Sequence, residues 1–344
     1  IKTGQISGMA KYVKLFEDAF AKKTGVKYAI AVNSGASALF LALWGLGIRK
    51  GDEVIVPTFT MAACANAVSQ CGAKSIFVDC EQNGNIDISQ IEKKITKRTK
   101  AIMPVHIYGH PCDMDEIKKI ARKHKLFIVE DAAEAQGALY KGRKVGALGD
   151  AACFSFYANK LVTTGEGGMV ATNDKKLADE VSKFRDHYWS GKGKNRYFHK
   201  KVAWNMKLSS LLAALGLAQI ERLDELVSKR RANARYYTNG MKSLKEHLVF
   251  PTEKKGIRSV FWMYGIVLKK RGLRDKLINY LTKHGIESRA FFIPMHLQPP
   301  HKQKGAFPVS EHLGWNGLYL PSSSHLSIKD KDRVIGVIKE FFNK

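Results

Sequence analysis

The sequence predicts an α/β protein with a mostly parallel wound sheet in a large N-terminal unit and a smaller α/β unit behind it. Three observations carry that expectation. Between residues 27 and 173, short near-continuous apolar runs alternate with longer stretches of helical period, the pattern of strands covered on both faces by crossover helices. After Asn173 the texture changes to long helical tracts, and from Val260 a second strand-and-helix pattern runs on. With 344 residues the chain is also longer than a single core serves well, so two units follow from size.

Strands are expected at 27–33, 53–57, 74–79, 101–106, 126–131, 152–156 and 168–172, where β-branched and other apolar residues run almost unbroken. Helices at 37–46, 61–70, 88–94 and 114–123 fit between them, the last preceded by Asp113 as an N-cap. Beyond these, 175–185 has helical spacing, 191–201 is a polar glycine-containing loop, and 208–226 followed by 228–244 forms a long helical tract. In the C-terminal unit a strand at 261–268 and helices at 273–284 and near 331–342 are expected. The boundary falls within 220–245, giving a large unit over 1–225 and a small one over 226–344.

Composition narrows the class without choosing a function. At 45% hydrophobic and 26% charged residues, the chain is ordinary for a folded protein and wrong for a disordered one. No apolar run approaches the roughly 20 residues that span a bilayer, and Ile1-Lys2-Thr3-Gly4 lacks a signal-peptide pattern, so a cytoplasmic protein is expected. The five cysteines, Cys64, Cys71, Cys80, Cys112 and Cys153, are odd in number and contain no C-x-x-C pair. Interior free thiols are therefore expected, rather than a disulfide framework or a metal site. Lys and Arg outnumber Asp and Glu by 57 to 31, a net charge of +26. Nucleic-acid binding, attraction of an anionic substrate and a lysine-rich solvated surface all fit that excess. The densest basic run, 192–196, lacks the interleaved aromatics of a single-strand binder.

Three segments carry chemistry. Asn33-Ser34-Gly35-Ala36-Ser37-Ala38 joins a strand to a helix. Small residues there let the backbone approach an anion at a helix N-terminus, although a plain tight βα turn reads the same way. Asp131 ends the apolar run 126–130 at a strand's carboxyl end, where open α/β sheets place ligand sites. It fits the partner of a buried cation, such as a protonated pyridine nitrogen, or an N-cap for the next helix. Lys160 lies 29 residues further on, after the strand that ends at Ser155-Phe156, and Thr163-Thr164-Gly165-Glu166-Gly167-Gly168 follows it with the glycines a sharp return requires. Lysine is the side chain that condenses with an aldehyde cofactor, and a partly desolvated site makes it nucleophilic.

In order and spacing, 33–38, Glu130-Asp131-Ala132-Ala133-Glu134, 155–160 and 165–168 resemble the DegT/DnrJ/EryC1/StrS family of sugar aminotransferases. Segments 22–25, 57–67, 104–113, 205–220, 261–264 and 294–299 share the likeness. FWMYGIVL, ESRAFFIPMHLQPP and GLYLPSSSHLS look most like the perosamine and viosamine synthases within it. The resemblance implies the aspartate aminotransferase fold (type I), pyridoxal 5'-phosphate (PLP) as cofactor and a homodimer with sites at the subunit interface. It assigns Lys160 to the cofactor aldehyde, Asp131 to the pyridine nitrogen and Glu134 to the cofactor's 3′-oxygen. Ser155 with the Gly35 and Ala36 backbone matches the phosphate cradle, and Asn205 a residue reaching the phosphate from the opposite subunit. Arg185, Tyr197, His199 and His296 match positions around the sugar nucleotide. Met61 stands where relatives place an aromatic ring against the cofactor, Met206-Lys207 replaces the usual Tyr-Arg, and Ala203 stands where glycine is common; a point-charge Lys does not replace a planar bidentate Arg. The implied reaction moves an amino group from L-glutamate to C-4 of a nucleotide-linked 4-keto-6-deoxyhexose. Sugar 3-aminotransfer and a non-catalytic PLP-binding regulator are the alternatives. Lys160 argues against the family's dehydratases, which carry histidine there.

Overall fold

A computed structural model describes residues 4, 6–189, 193–195 and 197–343; residues 191, 192 and 196 of the expected 191–201 loop lie outside the described residues. The strands of the large unit are β1 (Tyr28–Val32), β2 (Glu53–Pro57), β3 (Lys74–Val78), β4 (Thr99–Ile102), β5 (Phe127–Asp131), the short β6 (Leu139–Tyr140) and β7 (Arg143–Lys144), β8 (Ala151–Ser155) and β9 (Gly168–Thr172). Its helices are α1 (Lys11–Thr24), α2 (Gly35–Gly45), α3 (Ala62–Gln70), α4 (Ile88–Ile91), α5 (Met114–His124), α6 (Lys175–Phe184) and α7 (Ser210–Glu221); the long α8 (Leu223–Gly240) buries Leu223, Leu226 and Val227 in a core of this unit and Ala234 and Tyr237 in a core with the C-terminal residues Tyr264 and Ile266. Seven strands form the central sheet in the order β1-β9-β8-β5-β4-β2-β3. Every pair from β8 to β3 is parallel, while β9 runs antiparallel to both neighbours. Successive residues of β1 alternate between two cores, Ala29 and Ala31 facing one and Ile30 and Val32 the other, as the two-residue period of a doubly covered strand requires. Phe16, Phe20, Phe154 and Phe156 fill the first with edge-to-face and tilted contacts. The apolar α2 is buried in the second.

The rest of the chain adds β10 (Leu248–Val249), β11 (Ile257–Arg258), β12 (Tyr264–Leu268), β13 (Arg289–Ala290) and β14 (Gly317–Leu320), with α9 (Arg274–Lys283), α10 (Pro308–Asn316) and α11 (Ile328–Asn343). Four of these strands form a second sheet, β10-β12-β14-β13, whereas β11 crosses to pair with β6 of the first unit.

Several expected boundaries move. The strand placed at 261–268 begins at Tyr264, because Phe261 holds a left-handed φ of 47° that no strand accommodates. The helix placed at 208–226 ends at Glu221, and α8 then starts at Leu223 rather than 228, since Arg222 leaves the helical region at φ −95°, ψ 4°. Asp113 does not cap α5 through its side chain; its carboxylate accepts instead from the Tyr140 hydroxyl. The strand placed at 101–106 spans Thr99–Ile102, and the backbone beyond it turns to build the site. All five cysteines are buried and free.

Beneath the site lies a fully buried polar pair. His106 Nδ1 accepts the Cys112 N–H (3.0 Å), leaving Nε2–H to donate to Glu130 Oε2 (3.0 Å). Glu130 also accepts from the N–H groups of Gly146, Leu148 and Gly149. Burial alone raises a carboxyl pKa, yet these donors hold Glu130 below its ordinary value. His106→Ala is expected to cost about 3 kcal/mol by stripping a buried carboxylate of its side-chain donor. Urea denaturation checks this, and a loss under about 1 kcal/mol refutes it.

Candidate active site

Sheet register gathers the first residues. Gly168 pairs with Val32 on one side and Ser155 on the other, so the ends of β1 and β8 leave the sheet side by side. The approach is close: a Cβ on Gly168 would lie 2.2 Å from the Ser34 carbonyl oxygen, and one on Gly35 would lie 2.8 Å from Ser155 Cβ. Only glycine permits either. Ser34 caps α2, its Oγ accepting from Ser37 N–H at 3.1 Å. The α2 N-terminus and its dipole therefore face the Ser155 hydroxyl across a gap kept open by a missing side chain.

Asp131 ends β5, next to β8, and is 5% exposed. Its Oδ1 accepts from Ala133 N–H (3.0 Å) and its Oδ2 from the Cys64 thiol (2.8 Å). Burial, reinforced by Asp131, pushes that thiol pKa well above its ordinary value, so Cys64 stays protonated and donates. Among the described residues no Lys, Arg or His forms an ion pair with Asp131. A buried carboxylate with only neutral donors is a strong site for a cationic ring nitrogen.

Lys160 sits in the return loop between β8 and β9. Gln136 pins the loop by donating to the Ser155 carbonyl (2.8 Å) and accepting from Val162 N–H (2.6 Å); Gly165 and Gly167 hold positive φ at its turn. The Lys160 side chain is 11% exposed, with Nζ 3.6 Å from Glu134 Oε1 and 3.7 Å from the centroid of the Trp262 ring. Glu134 Oε2 accepts from Tyr108 N–H (2.7 Å), an amide aimed inward by a left-handed φ of 51° at Tyr108. Burial lowers the Lys160 pKa, against the pull of Glu134 and Asp131. It raises the Glu134 carboxyl to about 7, against the pull of Lys160. Burial thus works against the charged form of both partners, while each stabilises the charge of the other.

These residues fit PLP. At Gly35 and Ser155 a helix N-terminus and a hydroxyl offer donors to a phosphate, Asp131 fits a pyridinium, and Lys160 is a buried amine of lowered basicity. Met61, 53% exposed at the start of α3, stands one turn from Cys64 on the same edge. Asn205 is exposed, and its Oδ1 accepts weakly from Lys207 N–H at 3.4 Å. The Lys207 amine pairs with Asp186. Arg185 is engaged with Glu17 (2.5 Å) and the Ala31 carbonyl (2.6 Å), and His296 lies 4% exposed between Thr58 and Glu311; neither is brought to Lys160. Tyr197 and His199 lie on an exposed segment, His199 Nδ1 against the His187 carbonyl (2.9 Å) and Tyr197 stacked on Trp189. Sequence reasoning missed Cys64, Tyr108 and Trp262. Cys64 carries no mark of its contact with Asp131, while the glycine after Tyr108 and the Trp within FWMYGIVL were the available signals.

The fold and this edge define a PLP-dependent aminotransferase of the aspartate aminotransferase fold. The chain belongs to the DegT/DnrJ/EryC1/StrS aminotransferase family, whose model matches residues 1–339. It is 45% identical to a GDP-perosamine synthase of Caulobacter vibrioides and 42% identical to one of Escherichia coli O157:H7, each alignment covering 98% of this chain and 92% of the relative. A dTDP-3-amino-3,4,6-trideoxy-alpha-D-glucose transaminase of Streptomyces venezuelae is 37% identical, over 95% of this chain and 86% of that one. Among solved structures, a DegT DnrJ EryC1 StrS aminotransferase from Brucella abortus superposes with a TM-score of 0.91 at 34% identity, covering 100% of this chain and 93% of that one. A sugar aminotransferase from Streptococcus pneumoniae in its PLP form gives 0.92 at 27% identity, covering 98% and 92%.

Gly35→Ala is expected to weaken PLP retention at least about tenfold, because the new methyl fills the cradle against Ser155; absorbance titration of cofactor-free protein measures it, and an unchanged affinity removes the phosphate from this gap. A second expectation concerns pH. The folded Glu134 carboxyl keeps its proton up to about 7, whereas the unfolded one releases it near 4.5. The folded state therefore binds more protons across that window, and cofactor-free protein loses stability as pH rises through it. Glu134→Gln is expected to flatten this slope, worth about 3 kcal/mol, in urea titrations at the two ends of the window.

Proposed function

We propose that this chain transfers an amino group from L-glutamate to C-4 of a nucleotide-linked 4-keto-6-deoxyhexose, giving a 4-amino-4,6-dideoxyhexose of the perosamine or viosamine type. The observation that carries the reaction type is the buried Lys160 amine facing Glu134 beside Asp131. The likeness to two GDP-perosamine synthases supports the sugar class and the C-4 position.

When bound, PLP supplies an aldehyde that carries the amino group and a ring that accepts electrons. Ser155 Oγ and the N–H groups of Gly35 and Ala36 would hold its phosphate, and Asp131 would keep a proton on its ring nitrogen. Glu134 would bond its 3′-oxygen, and Met61 would offer its ring a thioether contact. Lys160 Nζ holds the aldehyde and, when free, takes and returns a proton at the donor carbon bearing nitrogen and at C-4 of the sugar; its lowered basicity suits both directions. Tyr197 and His199, on their exposed segment, contact the sugar nucleotide, and Arg185 and His296 shape that region from their tethered positions.

The acting species in this reading is a homodimer, with Asn205 reaching the partner's phosphate. Leu211 and Leu215, one turn apart on α7, are exposed apolar residues that a second copy would cover.

Lys160→Ala is expected to lower turnover by about 10³-fold or more, since both the holding and the proton transfer use that amine; a variant of near-normal rate sinks the assignment. Incubation with glutamate and, in turn, GDP-, UDP- and dTDP-linked 4-keto-6-deoxyhexoses, with NMR location of the new amine, tests the substrate. An amine at C-3 replaces this reading with the activity named for the Streptomyces venezuelae relative.

A further inference from the structure

Trp262 reaches the reactive lysine from the C-terminal part of the chain, and three sets of contacts place it. Its segment is buttoned to the first unit at Gly109, whose carbonyl accepts from Val260 N–H (3.1 Å) and Ser259 Oγ (3.0 Å). A Cβ on Gly109 would lie 2.5 Å from Val260 Cγ2 and 3.1 Å from the Trp262 backbone nitrogen, so a side chain there would crowd this segment. The left-handed turn at Phe261 then swings the indole inward, where it is 4% exposed and near-parallel to the Tyr108 ring, 6.4 Å away. Finally, Arg230 of α8 donates to the Trp262 carbonyl (3.0 Å), to the Ser322 carbonyl and to Ser324 Oγ (3.2 Å). This guanidinium is 9% exposed and has no carboxylate partner among the described residues; burial lowers it to about 10. A buried cation spent on carbonyl groups is costly and marks a geometry under strict control.

The indole acts on the lysine at two atoms. Its Nε1–H donates to the Asn159 carbonyl at 2.8 Å, fixing the backbone one residue before Lys160. Its ring face lies 3.7 Å from Lys160 Nζ, in a site mostly closed to water, where attraction between an ammonium and an aromatic face is at its strongest. We propose that Trp262 is a positioning residue for Lys160: its N–H fixes the lysine's backbone, its ring face receives the free ε-amine and favours the protonated form, and Arg230 holds the indole in place.

The inference rests on the reading of Lys160 as the reactive amine, and the two can fail separately. In cofactor-free protein, the pH midpoint of Lys160 labelling by an amine reagent is followed by mass spectrometry of its peptide. Trp262→Leu and Trp262→Met, which lose the ring face, are expected to lower that midpoint by about one unit. Trp262→Phe keeps a face and is expected to stay within about half a unit of the parent. Because it loses the N–H, Trp262→Phe is also expected to lower kcat of the holoenzyme about tenfold while KM for glutamate stays within about twofold. The two non-aromatic variants serve each other should one not fold. An unchanged midpoint in either overturns the ring-face role, as does a Trp262→Phe midpoint that falls equally far. A parental kcat in Trp262→Phe overturns the role of the N–H. If Lys160→Ala turns over normally, the function proposed above fails; if it is inactive while the midpoints do not move, only this inference fails.

Discussion

An amine removed from water loses the hydration that stabilises its charge, and the surroundings must replace it or the amine becomes neutral. Lys160 is held between those outcomes, with a carboxylate oxygen 3.6 Å from Nζ and an aromatic face 3.7 Å away. Much of the nearby architecture follows from that balance. The Tyr108 backbone is bent into a left-handed conformation to bring an N–H to Glu134, and Gln136 pins the loop that carries the lysine.

The sheet supplies what a lysine alone cannot. Because β9 runs antiparallel between β1 and β8, segments far apart in sequence leave the sheet together, and the α2 N-terminus faces Ser155. Asp131, one strand over, joins the same edge. Placing functional groups on strand ends and a helix terminus gives them the precision of the rigid scaffold, which loops do not provide.

What was legible in the sequence divides along physical lines. Strands buried on both faces have near-continuous apolar signatures, so the central sheet could be outlined with only small shifts in boundary. The places of Asp131 and Lys160, at a strand end and before a glycine-rich return, were visible because those are local features, whereas Ser155 was named by family resemblance. The antiparallel placement of β9 was not visible, since apolar runs carry no direction. The Asp113 cap failed because Tyr140, 27 residues on, competes for the same carboxylate, and no local pattern reports such a partner. Cys64, Tyr108 and Trp262 depend on contacts across 67, 26 and 103 residues; the glycine after Tyr108 and the Trp within FWMYGIVL marked two of them, but the partners appear only in the finished fold. Arg185 and His296 were named by family resemblance, and no local pattern foretold the Glu17, Thr58 and Glu311 contacts that hold them.

The position of β9 also orders the assembly of the protein in time. The gap between Gly35 and Ser155 is framed by Gly168, so the cradle cannot close until the chain is complete to about that strand and has inserted it between two segments already laid down. Such insertion joins distant parts of the sequence and is intrinsically slow. The face over Lys160 comes later still, since it belongs to Trp262. During synthesis, therefore, a phosphate-bearing ligand meets no finished cradle until β9 has been made, and the aromatic face over Lys160 joins only once the chain extends past Trp262.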